Sequence, residues 1–278
     1  MPKRWMRFSV STLLFFITMA CVWLGFQANR ANLQRKVVKA VQGVGGSVLY
    51  EHEQSRPNGP ARPEPGILEQ LVGVDFSHSV VQVTLPDKMQ GVDDLMPDIC
   101  RLPKLEELII GGDVSDAGTK HLSRCKNLML FIACSTGISD DTLKVLGELR
   151  TLRYLDLGNT KITNNGLKHL MPLTELEQLL LWGEEISDEA MPHVSQLKSL
   201  KQLHIQHCSV TTEGLHFVTK LPELEALNIA PADFNDSAIE TFKKLDKLTW
   251  LVLDGTGVSD KAIQNLKTAK PKLSEVAR

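Results

Sequence analysis

The 278-residue sequence predicts an α/β solenoid of about eight strand–helix repeats of ~24 residues, preceded by a single transmembrane helix. Three observations predict it. A leucine recurs at near-constant spacing, an apolar pair follows it at +3 and +5, and a 19-residue uncharged run lies close to the N-terminus.

That run is Phe8–Phe26, FSVSTLLFFITMACVWLGF. At 1.5 Å per residue it makes roughly 28 Å of helix, close to the thickness of a hydrocarbon core. Trp5 and Trp23 stand near its two ends, where amphipathic rings prefer the interface. A cleavable signal is the main alternative, but its apolar core normally spans about 7–15 residues before a small-x-small site. Here Val22, Trp23, Leu24 and Phe26 continue past Ala20. A lipoprotein reading at Cys21 meets the same objection, and Thr18-Met19-Ala20 lacks the usual leucine. A retained anchor is therefore expected. Lys3, Arg4 and Arg7 before it nearly balance Arg30, Arg35, Lys36 and Lys39 after it, so the positive-inside rule does not choose a side. The repeat domain is expected on the extracytoplasmic side.

The chain divides accordingly. A basic N-terminus covers 1–7 and the span 8–26. Residues 27–50 form a juxtamembrane helix, with Leu33, Val37, Val38 and Val41 apolar among basic residues, ended by Gly43-Val-Gly-Gly and succeeded by a short strand at Ser47–Tyr50. Residues 51–66 are a Pro/Gly-rich linker, because prolines and glycines there disfavour both helix and ladder. Residues 67–278 form the repeat domain, opening on Ile67, Leu68, Leu71 and Val72 at helical spacing.

The first leucine of the repeat falls at 105, 128, 152, 176, 200, 224 and 248: one gap of 23, then five of 24. Apolar pairs such as Leu155/Leu157 and Leu203/Ile205 come after it. A separation of two is strand alternation, which puts both side chains on one face. Val80, Val83 and Leu85 supply an earlier copy, for eight strands in all. A second column (Val114, Ile138, Ile162, Ile186, Val210, Phe234, Val258) is succeeded at once by Ser, Thr or Asn, the residues that cap helix N-termini. An Asp or Asn usually comes next, favourable beside the positive end of a helix. Leucines at helical spacing complete the unit, as in Leu167, Leu170 and Leu173. One such unit cannot bury its apolar face alone, and stacking makes the core continuous.

The clearest copy, Leu152–Leu170 (LRYLDLGNTKITNNGLKHL), fits L-x-x-L-x-L-x-x-T-x-I-T/S-D-x-G-L-x-x-L. It resembles the leucine-rich repeats common in bacterial membrane-anchored proteins. RFSVSTLLFF, VWLGFQ, VGGSVLYEHE and ILEQLVGVDFSHSVVQVTL further resemble the front end of a planctomycete membrane-anchored leucine-rich-repeat family. This resemblance covers nearly the whole chain and implies fold and anchoring, with no catalytic residue. Two departures stand out. The turn after Ile110 is one residue short, which predicts a kink. The position after each strand holds Thr136, Thr160, Cys208 and Thr256 as the pattern expects, but Glu184 and Ala232 elsewhere.

Charge narrows the partners. Residues 1–39 hold seven of the 31 basic residues and no acid, which leaves 24 basic against 33 acidic residues in the remainder, a net of −9. So acidic a domain repels phosphate backbones, and nucleic acid is not an expected partner. The basic end suits anionic headgroups. Five cysteines without a Cys-x-x-Cys pair define neither a zinc knuckle nor a disulfide framework.

Strand residues that alternate with the leucines face outward on the concave sheet, the natural docking face of a curved solenoid. They include Tyr154, Asp156, Gln178, Leu180, Trp182, Gln202, His204, Asn228, Trp250 and Val252. Aromatic residues among adaptable polar neighbours have the composition of binding hot spots. The plainer reading is a sheet that exposes some apolar residues, as most surfaces do. His121, His169 and His193 share a helical column without a carboxylate or cysteine at ligand spacing, and they read as solvated residues. His204 and His207 diverge, Cys125 holds a leucine core position, and Cys134 falls on the concave rim. No Walker loop, Gly-x-Ser-x-Gly elbow or His-Glu-x-x-His helix occurs, so neither an enzyme, a cofactor nor a metal is expected. The expected function is a membrane-tethered scaffold that binds a protein or cell-envelope polymer through its concave face. The alternative is a self-assembling structural envelope protein, with Pro271–Arg278 as an aborted ninth strand over a lightly covered edge.

Overall fold

A computed structural model describes residues 10–53, 73–183, 185–230, 234–273 and the backbone of 275–277. Nearly all of the linker expected at 51–66, the helical spacing from Ile67 to Val72, and Glu184 and Ala232 lie outside the described residues.

Ten strands make one sheet in strictly sequential order. They are β1 (Ser47–Tyr50), β2 (Val80–Thr84), β3 (Glu107–Ile109), β4 (Leu130–Ile132), β5 (Tyr154–Asp156), β6 (Gln178–Trp182), β7 (Gln202–Gln206), β8 (Ala226–Asn228), β9 (Trp250–Val252) and β10 (Glu275–Ala277). β2 to β9 are the eight expected repeats. They pair in parallel with no register slip, as the column Glu107, Leu130, Tyr154, Gln178, Gln202, Ala226 and Trp250 shows. β1 pairs antiparallel with β2 at one end, and β10 parallel with β9 at the other.

Opposite the sheet run short α- and 3₁₀-helical turns, of which Asp260–Ala269 is the longest. Between the two layers the repeat leucines form one continuous core with Phe131, Phe234 and Phe242. Each such side chain contributes about 1.5–3 kcal/mol by leaving water. Cys125 takes its expected place in this core.

Two sets of polar bonds recur along the array, the first closing each strand end within its own repeat and the second joining one repeat to the next. After the strands, Thr136, Thr160 and Thr256 donate their hydroxyls to the carbonyls of Ala133, Leu157 and Leu253 at 2.7–2.8 Å. At the helix starts, Ser115, Ser139, Thr211, Asn235 and Ser259 cap their own helices as expected. The acid one position later does more than sit near a helix dipole. Asp116 accepts from the backbone N–H (3.0 Å) and hydroxyl (2.6 Å) of Ser139 in the next repeat. Asp93, Asp140, Asp188 and Asp236 reach Ser115, Thr163, Thr211 and Ser259 in the same way. Asn164 keeps the rung with an amide: its Oδ1 accepts from the Ser187 N–H, and its Nδ2 donates to the hydroxyl. Small residues make room for the acids, since a Cβ on Gly166 would stand 2.0 Å from Asp140 Oδ1. Thr212 occupies the acid's place in one repeat, where no rung forms.

The short turn after Ile110 leaves the register unbroken on both sides. Gly111-Gly112 absorbs it: Gly112 has φ +70°, and a Cβ there would stand 2.2 Å from the Met89 carbonyl.

The N-terminal helix α1 (Val10–Gly43) is continuous for 34 residues, about 51 Å at 1.5 Å per residue. It is the one helix among the described residues long and apolar enough to cross a membrane, by length and composition. Leu13, Leu14, Phe15, Phe16, Trp23 and Phe26 stand exposed. Its second half behaves differently. Ala31, Gln34, Val37, Val38 and Val41 are buried against the first strands. The fully buried Gln34 donates to the His78 carbonyl (2.8 Å), and its Oε1 accepts from the Val80 N–H (3.0 Å). Gln34 Nε2 also reaches Asp75 Oδ1, which takes the Tyr50 hydroxyl at 2.8 Å. The second half of α1 is thus the end cap of the solenoid.

Candidate concave-face site

Parallel register brings Asp156, Leu180, His204, Asn228 and Val252 into one row across β5–β9. Tyr154, Gln178, Gln202 and Trp250 form the row beside it, and Trp182 ends β6 in a third. Nine of these ten expected residues are half-buried; Asn228 is buried at 6% exposure. Asn228 Oδ1 accepts from the Ala230 N–H at 3.3 Å, so that side chain serves its own strand end.

Both tryptophans lean toward the N-terminal end of the array, each across a small residue. The Trp182 indole lies over Gly158, where a Cβ would be 1.7 Å from its Nε1. The indole also lies beside Asp156, which accepts from the Gly158 N–H at 3.2 Å. Trp250 reaches past Ala226 and stacks on His204, with ring centroids 5.7 Å apart and planes 25° apart. The aromatic groups are therefore ordered before any ligand arrives, which lowers the entropy lost on binding.

Burial sets the electrostatics here. It lifts the Asp156 carboxyl above its ordinary range, against the opposing pull of the Gly158 N–H, the Trp182 indole and His204. Burial pushes the His204 imidazole down, while Asp156 pulls it up. Tyr154 is raised by burial and then by Asp156. Cys134 is half-buried on the rim, and burial followed by Asp156 raises its thiol, the reverse of what activates a nucleophile. The arrangement offers flat apolar faces around one hydrogen-bonded carboxylate.

The repeat columns put Cys134 on the rim but did not point to the hollows along it. A hollow of about 470 Å³ opens beside Trp182, lined also by Asn159, Thr160, Glu185 and His207. A second, of about 410 Å³, lies along Gln206, His207 and Asp254. Asn159 and His207 hold left-handed backbone (φ 54° and 52°), as does Ser135 (57°). Turn residues at fixed repeat spacing that are not glycine were the available signal. Among the described residues no three His, Cys, Asp or Glu side chains group as a metal cage, and the histidine column at 121, 169 and 193 lies on the helical side, away from this face.

A family model described as a leucine-rich repeat region matches residues 121–275, more than half of the chain. No curated protein matches it. Among solved structures, an internalin C2 from Listeria monocytogenes is similar at 18% identity with a TM-score of 0.49, covering 88% of this chain and 92% of that one. An internalin from the same organism is similar at 16% identity with a TM-score of 0.44, covering 65% of this chain and 63% of that one.

Proposed function

The chain belongs to the leucine-rich-repeat family, and we propose that it is a membrane-tethered scaffold that binds a protein or a cell-envelope polymer through its concave face. The observation that carries this reading is the pre-ordered surface built by Tyr154, Asp156, Trp182, His204 and Trp250. Rigid aromatics beside a few oriented polar groups are the usual anchors of an interface. Gln178, Leu180, Gln202 and Val252 would complete the contact area, with Asn228 in a supporting role.

The tether is part of the same proposal. Residues 8–26 would span the membrane, 51–66 would form a spacer loop and 67–278 the repeat domain, as in planctomycete membrane-anchored leucine-rich-repeat proteins. The exposed apolar half of α1 supports the span. We place the repeats on the extracytoplasmic side and assign them no catalysis.

Crosslinking in intact cells, with identification of the captured molecules, tests the binding face. Changing Tyr154, Trp182 and Trp250 together to Ala should reduce capture at least ten-fold while the chain remains folded and in the membrane. Undiminished capture of every partner would sink the concave-face reading. A second reading, self-assembly through the C-terminal edge, draws on β10, which covers β9 with only three residues.

A further inference from the structure

Where α1 leaves its apolar stretch and begins to cap the solenoid, a cavity of about 790 Å³ opens between it and the first repeats. Phe26, Leu33 and Pro103 give it an apolar side. Six cations surround the rest: Arg30, Lys36, Arg101, Lys104, Arg124 and Lys126, against the single acid Asp98. Asp98 is already engaged by Lys36 (2.6 Å) and Arg101 (3.7 Å), and Lys104 is answered by Glu51 at 2.9 Å. Arg30, Arg124 and Lys126 have no carboxylate partner among the described residues. Arg30 Nε is buried without an acceptor, and its Nη2 makes only a 3.4 Å contact with the Phe76 carbonyl. A buried guanidinium donor without an acceptor favours an anion beside it. This local excess of positive charge sits in a chain whose residues beyond 39 carry a net −9.

The cavity also has a fixed height. Phe26 ends the apolar run, and Lys36 lies about 15 Å further along the helix. The polar layer of one leaflet is roughly 5–8 Å deep. With residues 8–26 in the hydrocarbon, the cavity opens at the level of the headgroups.

We propose that this cavity binds the headgroup of an anionic glycerophospholipid from the membrane that the anchor crosses. Arg30, Arg124 and Lys126 take the phosphate, and Phe26, Leu33 and Pro103 cover the glycerol and first methylenes. The site rests on the membrane-anchor reading above. Through it, bound lipid joins the anchor to the first repeats.

The test uses the full chain in nanodiscs of phosphatidylcholine with one-fifth phosphatidylglycerol, and native mass spectrometry of the lipids it retains on release. Retained phosphatidylglycerol should exceed its bulk share at least ten-fold. Arg101→Glu, Arg124→Glu and Lys126→Glu together, all at exposed positions, should return the ratio to bulk. Lys161→Glu, Lys261→Glu and Lys267→Glu, equal in charge and distant from the cavity, should leave the enrichment unchanged. Arg30→Met should reduce it without altering net surface charge elsewhere. A bulk ratio in the unmodified chain, or equal loss in both triple variants, overturns the site while leaving the anchor standing. Displacement of the lipid by millimolar glycerol 3-phosphate would assign the cavity to a soluble phosphate and overturn the lipid. A chain that fails to enter pure phosphatidylcholine discs rejects the anchor, and the site with it.

Discussion

The solenoid is closed by different means at its two ends. At the N-terminal end, the second half of α1 lays five buried side chains against the first strands, β1 adds an antiparallel strand, and Gln34, Asp75 and Tyr50 bond across the seam. At the C-terminal end, Asp260–Ala269 buries Ala262, Ile263 and Leu266, and a three-residue β10 covers β9. The acid ladder sharpens the contrast. Its rungs run without interruption from Asp93 to Asp188, stop at Thr212 and resume only with Asp236. Repeat arrays draw stability from nearest-neighbour interfaces, so a missing rung partly uncouples the repeats on its C-terminal side. The first end is specified by buried hydrogen bonds and continuous with the apolar half of α1; the second is held by packing and should open first.

The largest effect is expected from Gln34→Ala. It orphans the Val80 N–H and the His78 carbonyl inside the cap, a loss of about 3 kcal/mol if each unsatisfied group costs ~1–2 kcal/mol. Amide hydrogen exchange should quicken in β2 and leave β9 unchanged; equal acceleration at both ends would erase the distinction. Removing residues 271–278 should cost about 2 kcal/mol, from the lost Leu273 burial and the β10 pairing. Its exchange signature should be confined to β8 and β9. Sedimentation should show self-association through the bared edge, and a monodisperse monomer would remove the self-assembly reading.

Acid should weaken the C-terminal end next. The backbone N–H and then the hydroxyl of Ser259 hold the Asp236 carboxyl below its ordinary range. Burial pulls Asp116 up, but bonds from Ser139 and Thr142 outweigh it and leave that carboxyl low as well. A lowered native value means stability that is present above the unfolded value, about pH 4, and lost as pH falls through the native one. Asp236, with no rung on its N-terminal side, should therefore release its neighbours first, and Asp236→Asn should flatten the fall of the thermal midpoint between pH 5 and 3. Asp156 has the opposite sign. Its raised value means stability present at low pH and lost as pH rises through the native value, so Asp156→Asn should raise the midpoint at pH 7 and not at pH 3. Smallest of all, Thr212→Asp should restore the missing rung to the repeat of Asn235 for about 0.5–1 kcal/mol, and slow exchange beyond β8.

Which of these features could be read beforehand depends on the distance between partners along the chain. The strands, the buried leucines and the capping residues declared themselves because strand alternation and helical spacing are local. The rungs did not. An acid after a Ser or Thr is already accounted for by its own helix terminus, and nothing nearby shows that Asp116 serves Ser139, 23 residues on. Gln34 was hidden likewise among the polar residues of an amphipathic helix, since only the β2 edge gives its amide a role. On the sheet, alternation set the expected residues in adjacent rows of one face but not their rotamers. Gly158 was the one local hint that Trp182 folds back, and the burial of Asn228 left no trace in the pattern.

The unbroken α1 turns helix geometry into a matter of compass bearing. With 3.6 residues per turn and the anchor as proposed, one residue inserted between Phe26 and Ala31 would swing the concave face about 100° around the helix axis and lift it by only ~1.5 Å. Seven inserted residues would bring it back to within about 20° of its first heading, roughly 10 Å higher. A partner that diffuses freely would ignore the heading. A partner held in the same membrane would feel it, and activity that vanished with one inserted residue and returned with seven would show that the chain meets its ligand in two dimensions.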